Sequence, residues 1–477
     1  MKTITRRAFI KGSVSAGVGL TLARPFSQVL GANEEVRVAV VGINGRGADH
    51  IEAFRKLSGV RIVALCDVDK QVLEQRAKSF RDRNEKVATY GDVRKLLEDP
   101  NLDAISVATP NHWHSLITIW ACQAGKDVYV EKPCSHTVFE GRQCVAAARK
   151  YKRVVQHGTQ SRSSGETARQ IAAIQSGKYG KLLVSKGYCC KPRWSIGFKP
   201  YQEPPANLDY NLWLGPAPEQ PFHENLVHYN WHWFWDFGSG DIGNQGVHEM
   251  DIARRAIKGA TLPETVISMG GRWVDGPSFK DQGQTPNMEL SIYDFEESLL
   301  VFETRGLVGK NPAYPFKVGN EFYLEEGVIK EGKFYPQGKG QGEPLEKADY
   351  HLNPGEHFEN FIRCVREHKP ENLNADILEG HYSSALCHLG NISYQMGWDV
   401  PFRFEAKALG DSDVISQSMM TVLENTKAIG VDPAKSAYRL GPRLHFKPRT
   451  EKFVDNVAAD LRLTQVYREP FVVPQMV

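Results

Sequence analysis

The stretch from Val36 to Gly47 constrains this chain more than any other. Val36-Arg37-Val38-Ala39-Val40-Val41 is a short apolar, β-branched run that reads as a buried strand, and it breaks at Gly42 into Ile43-Asn44-Gly45-Arg46-Gly47. A helical pattern follows from Ala48 to Leu57. A strand, a glycine turn and a helix start in that order aim backbone N–H groups at an anion, and the helix dipole adds to the attraction. Gly42 suits the tight turn and Gly47 the close approach of helix to strand. Asn44 stands where the usual G-x-G-x-x-G pattern has its second glycine, with Gly45 beside it. A second strand, Arg61 to Cys66, ends at Asp67. A carboxylate at that point accepts ribose hydroxyls and repels a 2′-phosphate, so the pattern reads as a site for NAD rather than NADP.

Two more strands, Ala104 to Ala108 and Asp127 to Val130, lead into Thr109-Pro110-Asn111-His112-Trp113-His114 and Glu131-Lys132-Pro133. Ligands of doubly wound sheets lie outside the carboxyl ends of the strands. The cofactor-binding candidates are therefore Gly42, Asn44, Gly45, Arg46, Gly47, Asp67, Thr109, Pro110, Asn111, His114, Glu131 and Lys132. Lys132 is also a catalytic candidate, because an ammonium at a strand end can orient an alcohol and stabilise a developing alkoxide.

With these motifs in place the chain resembles the Gfo/Idh/MocA family of sugar and cyclitol oxidoreductases over almost everything after its first 32 residues. The resemblance implies NAD as cofactor, an N-terminal Rossmann domain, and a C-terminal α+β domain with a mixed, largely antiparallel open sheet that carries the substrate. It also implies a later motif in which an Asp, and four residues on a His, join the Lys in handling protons. The matching segment here is Gly238-Ser239-Gly240-Asp241-Ile242-Gly243-Asn244-Gln245-Gly246-Val247-His248. His248 takes the place of the family's base, and Asn244 falls where an Asp is usual. An amide orients a hydroxyl but holds no proton as a carboxylate does. A branch of the family with a similar Gly-Asp-Ile-Gly-Asn-Gln-Gly segment consists of NAD-dependent glycosidases, which oxidise a sugar transiently, eliminate the aglycone, add water and reduce the sugar again.

Three functions are thus open: a dehydrogenase acting on a secondary hydroxyl of a sugar, glycoside or cyclitol, a redox-neutral glycosidase, and a non-catalytic sugar-binding protein on the same fold. Between Asn207 and Asp241 rings are dense, among them Tyr229, Trp231 and Trp233, interleaved with His223, His228 and His232. Flat rings beside hydrogen-bonding groups suit carbohydrate faces. Tyr229, His232, Trp233, Asp241 and Arg162 are the substrate candidates. The histidine spacing matches no zinc motif, so no metal is expected.

At 477 residues, with 41% hydrophobic and 24% charged, the chain is long enough for two globular domains. The N-terminus reads Thr5-Arg6-Arg7-Ala8-Phe9-Ile10-Lys11, then a weakly apolar run from Ser13 to Ala23, which resembles a twin-arginine export signal. The expected organisation is a signal over 1–32, a Rossmann domain over 35–157, a substrate and oligomerisation domain over 158–450, and a tail over 451–477. The formal charge is +3, and all five basic residues of the first 32 stand there without an acid, which leaves −2 for the rest. No basic stripe calls for nucleic acid, and no apolar run of 18 residues calls for a membrane span. The eight cysteines show no CxxC spacing. The expected product is a periplasmic or otherwise exported homo-oligomer acting on a small carbohydrate. Its apolar tail, Tyr467 to Val477, is expected to cover a neighbouring subunit.

Overall fold

The computed structural model describes residues 35–274, 280–308, 316–402 and 408–477. The twin-arginine segment lies outside the described residues, as does part of the polar loop around 275–286. From Val36 the chain builds a six-stranded parallel sheet from β1 (Val36–Val41), β2 (Val60–Cys66), β3 (Ala88–Tyr90), β4 (Ala104–Val107), β5 (Asp127–Val130) and β6 (Val155–His157). Their order is β3-β2-β1-β4-β5-β6, the doubly wound dinucleotide-binding arrangement. β1, β4 and β5 are apolar at nearly every position because helices cover both faces of the sheet.

The helices between them are α1 (Arg46–Arg55), α2 (Lys70–Arg81), α3 (Val93–Leu97), α4 (Asn111–Gln123) and α5 (Val138–Lys150). Asp69 caps α2 by accepting from the Gln71 and Val72 amides, and Thr137 caps α5 through the Glu140 amide. α1 starts two residues before the sequence pattern suggests, at Arg46, and has no side-chain cap. Its first turn is left open toward the cofactor cleft.

After β6 come α6 (Gly165–Gln175) and a twelve-stranded second sheet. Its long strands are β7 (Leu182–Cys190), β8 (Thr265–Gly271), β9 (Met288–Asp294), β10 (Leu299–Arg305) and β11 (Lys317–Leu324). Short ones follow: β12 (Gly327–Lys330), β13 (Lys333–Pro336), β14 (Glu343–Pro344), β15 (Trp398–Pro401) and β16 (Ala437–Leu440). The order is β14-β13-β12-β11-β7-β10-β9-β8-β16-β15, with β17 (Leu444–Lys447) on β8 and β18 (Lys452–Phe453) on β17. β7 and β10 run parallel and the other described pairings are antiparallel, so the sheet is mixed and largely antiparallel.

Between β7 and β8 lie α7 (Tyr210–Leu214), α8 (Gly240–Asn244) and α9 (Gly246–Ala256). α9 packs Val247, Met250 and Ala253 on the sheet beside Phe302 and Leu386. α10 (His357–Glu367) and α11 (Ile377–Gln395) return to the first sheet. Phe361 and Val365 join Val38 and Phe54 in one apolar cluster, and Ile377 joins the cluster around Val107 and Val130. The C-terminal tail corrects an expectation. It docks on its own chain: Phe471 and Val473 are buried in the Rossmann core, with the Phe471 ring 5.4 Å from that of Trp113. Apolar content predicts that a tail docks; it does not say on what.

Candidate active site

The carboxyl ends of β1, β2, β4 and β5 open onto a cavity of about 500 Å³. At its floor Gly42 has φ +77°, and a Cβ there would meet the Ala108 carbonyl at 2.8 Å. A Cβ on Gly47 would stand 1.9 Å from the Gly42 oxygen, so α1 comes this close only without a side chain. Gly45 has open space around it and lines the cavity with Asn44 and Arg46. Arg76 of α2 donates to the Ile43 and Asn44 carbonyls and holds the turn from behind.

Asp67, at the end of β2, accepts from the Ile43 amide at 2.9 Å and the Asp69 amide at 3.0 Å. Burial raises its pKa against those two bonds. Along the wall, Thr109 Oγ1 and Asn111 Nδ2 are buried without a hydrogen-bond partner among the described residues. Orphaned polar atoms beside a glycine turn and a strand-end carboxylate are what a dinucleotide would satisfy, so the residues present fit NAD. His114 also lines the cavity, but its ring nitrogens lie 2.6 Å from the Pro133 carbonyl oxygen and 2.8 Å from that of Thr109, so it ties the ends of β4 and β5 together.

Glu131 Oε1 accepts from Arg46 Nε at 2.9 Å and lies 3.0 Å from His50 Nε2. Burial pushes its carboxyl up, but His50, Arg46 and Lys132 outweigh it and hold the group well below the usual range. Lys132, the next residue, donates through Nζ to the Asn244 main-chain carbonyl and lies 3.5 Å from its side-chain oxygen. Burial lowers the lysine's pKa, against the pull of Glu131 and Asp241. Asn244 in turn donates to Asp241 Oδ1 at 3.3 Å. His248, in the first turn of α9, is half-buried, and its ring makes no hydrogen bond among the described residues. Burial, and then the Lys132 charge, bring it down to about 4, so it is a neutral imidazole at pH 7.

Of the substrate candidates, Tyr229 and His232 line the cavity. His232 stacks on Trp231 with ring centres 3.6 Å apart, and burial lowers it to about 3. Three others are engaged elsewhere. Asp241 is buried, paired with Arg193 at 2.9 Å and accepting from Cys189 Sγ at 3.1 Å, so it orients Asn244 from behind. Trp233 is buried against the Arg193 guanidinium. Arg162 holds Asp251 and Glu379 in a buried ion network. Their nearness in sequence to the motifs does not carry over into space.

Sequence reasoning missed a strap. Residues 207–232 cross the ribose end of the cavity and fasten at Asp69: Leu208 bridges Asp69 in antiparallel fashion, Asn207 Nδ2 donates to Asp69 Oδ1 at 2.8 Å, and His228 Nε2 lies 3.2 Å from Asp69 Oδ2. Leu208, Trp213, His228 and Trp231 thereby line the cavity. The density of rings in this stretch was the available signal. Among the described residues no group of three or more His, Cys, Asp or Glu is placed to hold a metal ion, and no helix is long and apolar enough to cross a membrane.

Comparison with known proteins agrees with this fold. Residues 36–159 match the oxidoreductase family model for an NAD-binding Rossmann fold, and residues 144–267 match the model for that family's C-terminal alpha/beta domain. A glycosyl hydrolase family 109 protein of Saccharopolyspora erythraea is 30% identical over 207 residues, 38% of this chain and 45% of its own. An alpha-N-acetylgalactosaminidase of Shewanella oneidensis is 27% identical over 221 residues, 41% of this chain and 48% of its own. The chain thus spans about half the length of the curated relatives it matches. The crystal structure of the WlbA dehydrogenase from Bordetella pertussis, in complex with NADH and UDP-GlcNAcA, shares the fold at a TM-score of 0.54 and 17% identity, covering 75% of this chain and 96% of that one. Residues 36–267 of this chain belong to the Gfo/Idh/MocA oxidoreductase family, as its NAD-binding Rossmann domain followed by its C-terminal alpha/beta domain.

Proposed function

We propose that the protein moves hydride between a retained NAD and a secondary hydroxyl of a sugar, glycoside or cyclitol. The observation that carries this reading is the Lys132 ammonium at the end of the NAD cavity, fixed on Asn244 with His248 at the start of the next helix. NAD, when bound, supplies the hydride acceptor. Lys132 would hold the hydroxyl oxygen and stabilise its developing charge. His248, neutral at pH 7, would take the hydroxyl proton on a ring nitrogen. Asn244 orients the alcohol but takes no proton, which leaves proton transfer to His248 and Lys132. Asp67 favours NAD over NADP, because its carboxylate repels a 2′-phosphate and Arg76 is committed to the turn carbonyls.

A second reading, redox-neutral cleavage of a glycoside, is favoured by the strap at Asp69 and by the names of the curated relatives. A cycle that oxidises and then reduces the same sugar needs its cofactor kept in place, and the strap lines the cavity that would hold it. The reading includes export by the twin-arginine route and assembly as a homo-oligomer. To test it, the protein is purified without added cofactor, its NAD content is measured after denaturation, and it is incubated with aryl glycosides and free sugars. NADH accumulating on a sugar supports the dehydrogenase, and aglycone release without net NADH supports the redox-neutral cycle. Neither, in a protein that retains NAD, leaves the non-catalytic sugar-binding function.

A further inference from the structure

The segment that leaves β7 puts alternate side chains on one face, as an extended chain must. Cys189 Sγ reaches Asp241 Oδ2 at 3.1 Å, Lys191 Nζ donates to Gln245 Oε1 at 2.5 Å, and Arg193 pairs with Asp241 Oδ1 at 2.9 Å. All three meet the 241–245 turn, which also supplies Asn244 to Lys132.

The charges on this face do not cancel. Arg193 is answered by Asp241, whereas among the described residues Lys191 makes no ion pair; the Phe316 ring lies 5.6 Å from its Nζ, and its charge also acts on the Glu249 carboxyl. On α9, Glu249 Oε1 accepts from Gln245 Nε2 at 2.9 Å, and Oε2 is buried without a partner among the described residues. Burial raises that carboxyl to about 7, so close to neutrality much of it is uncharged and does not offset the lysine. Arg193 Nε is a buried donor left unmet among the described residues. A half-buried ammonium that makes no ion pair among the described residues, on a face that also holds an unmet buried donor, favours an anion. Phe316, 61% exposed, borders the place on the solvent side.

Resting on the reading that Lys132 holds a sugar hydroxyl, we propose that Lys191 forms a subsite for a carboxylate carried by that sugar, as in a hexuronic acid unit. One uncompensated positive charge matches a monoanion. A dianionic phosphate would bring one negative charge more than Lys191 supplies.

The test uses the NAD-loaded protein and calorimetric titration with methyl glucuronosides and galacturonosides of both anomers, beside the matching neutral glucosides and galactosides and the 6-sulfated and 6-phosphorylated sugars. At least one uronoside is expected to bind about tenfold tighter than its neutral partner, as a charge-assisted hydrogen bond allows. Lys191→Met is expected to remove that preference with NAD content unchanged, and Lys191→Arg to keep it. Uronosides binding no better than neutral glycosides, a phosphorylated or sulfated sugar binding tighter than every uronoside, or a preference that survives Lys191→Met would each overturn the subsite. The two ideas fail separately: neutral glycosides turned over without uronoside preference sink the subsite alone, whereas uronosides bound through Lys191 but never oxidised or cleaved sink the catalytic reading alone.

Discussion

A Cβ on Gly47 would stand 1.9 Å from the Gly42 oxygen, whereas one on Gly45 would meet nothing within 4 Å. The same change, Gly→Ala, therefore has different effects two residues apart. Gly47→Ala forces α1 off β1 and should cost about 1–3 kcal/mol, as overpacking does, visible as a lower melting temperature with or without NAD. Gly45→Ala should leave the apo melting temperature nearly unchanged and weaken NAD binding, because the new methyl group enters the cavity. A Gly45→Ala protein that retains NAD as the parent does would show that the ligand does not approach this turn. At the far end of the cavity, Lys132→Ala and His248→Ala should each lower turnover by about a hundredfold or more while NAD content stays the same. Either variant turning over at the parental rate would remove that residue from the chemistry.

The strap of residues 207–232 joins the second half of the chain to the cap of α2, since Asp69 both caps that helix and receives Asn207 and His228. Asn207→Ala removes a hydrogen bond to a charged group, worth about 1.5–3 kcal/mol. The strap then opens more often, and NAD should leave about tenfold faster on dilution, with little change in global melting; an unchanged release rate would mean the strap does not gate the cofactor. The glycine turn, β1, β2, β4 and β5 were legible because buried parallel strands are continuous apolar runs and the breaks between them carry Gly or Pro. β3, three residues with two exposed, has no such run and was invisible. Arg162, Trp233 and Asp241 were misplaced for another reason. Sequence proximity to a motif puts a residue on the right element without saying which face it uses, and these three face buried partners rather than the cavity. The strap was legible only as a density of rings, because what it closes over is fixed by Asp69, more than a hundred residues earlier.

Across the whole molecule, folding buries imidazoles faster than it finds them acidic partners. Burial holds His112, His157, His232 and His388 at about 3 and His248 and His357 at about 4, and it lowers His114, His223 and His381 as well, all from an ordinary 6.5. Between pH 6.5 and about 4 the unfolded chain therefore binds protons at these positions that the folded chain refuses, and stability falls as pH falls through that window. Buried carboxyls act in the opposite direction: Glu249 and Glu289, raised to about 7 and about 8, keep protons that the unfolded chain releases, and burial also raises Asp67, Asp127 and Glu140. Nine imidazoles against five carboxyls leave an excess on the destabilising side. Asp251, Glu303 and Glu451, held near 2 despite burial by their Arg, Lys and His neighbours, add to the loss only below about pH 4.5. The protein should be most stable near neutrality and lose on the order of 5–10 °C in melting temperature between pH 7 and pH 5. His388→Gln, which removes a buried imidazole that does not line the cavity, should flatten that slope even where it lowers stability at pH 7. A melting temperature that is level or rises from pH 7 to 5 would mean these imidazoles reach water or carboxylates as readily folded as unfolded, contrary to their burial.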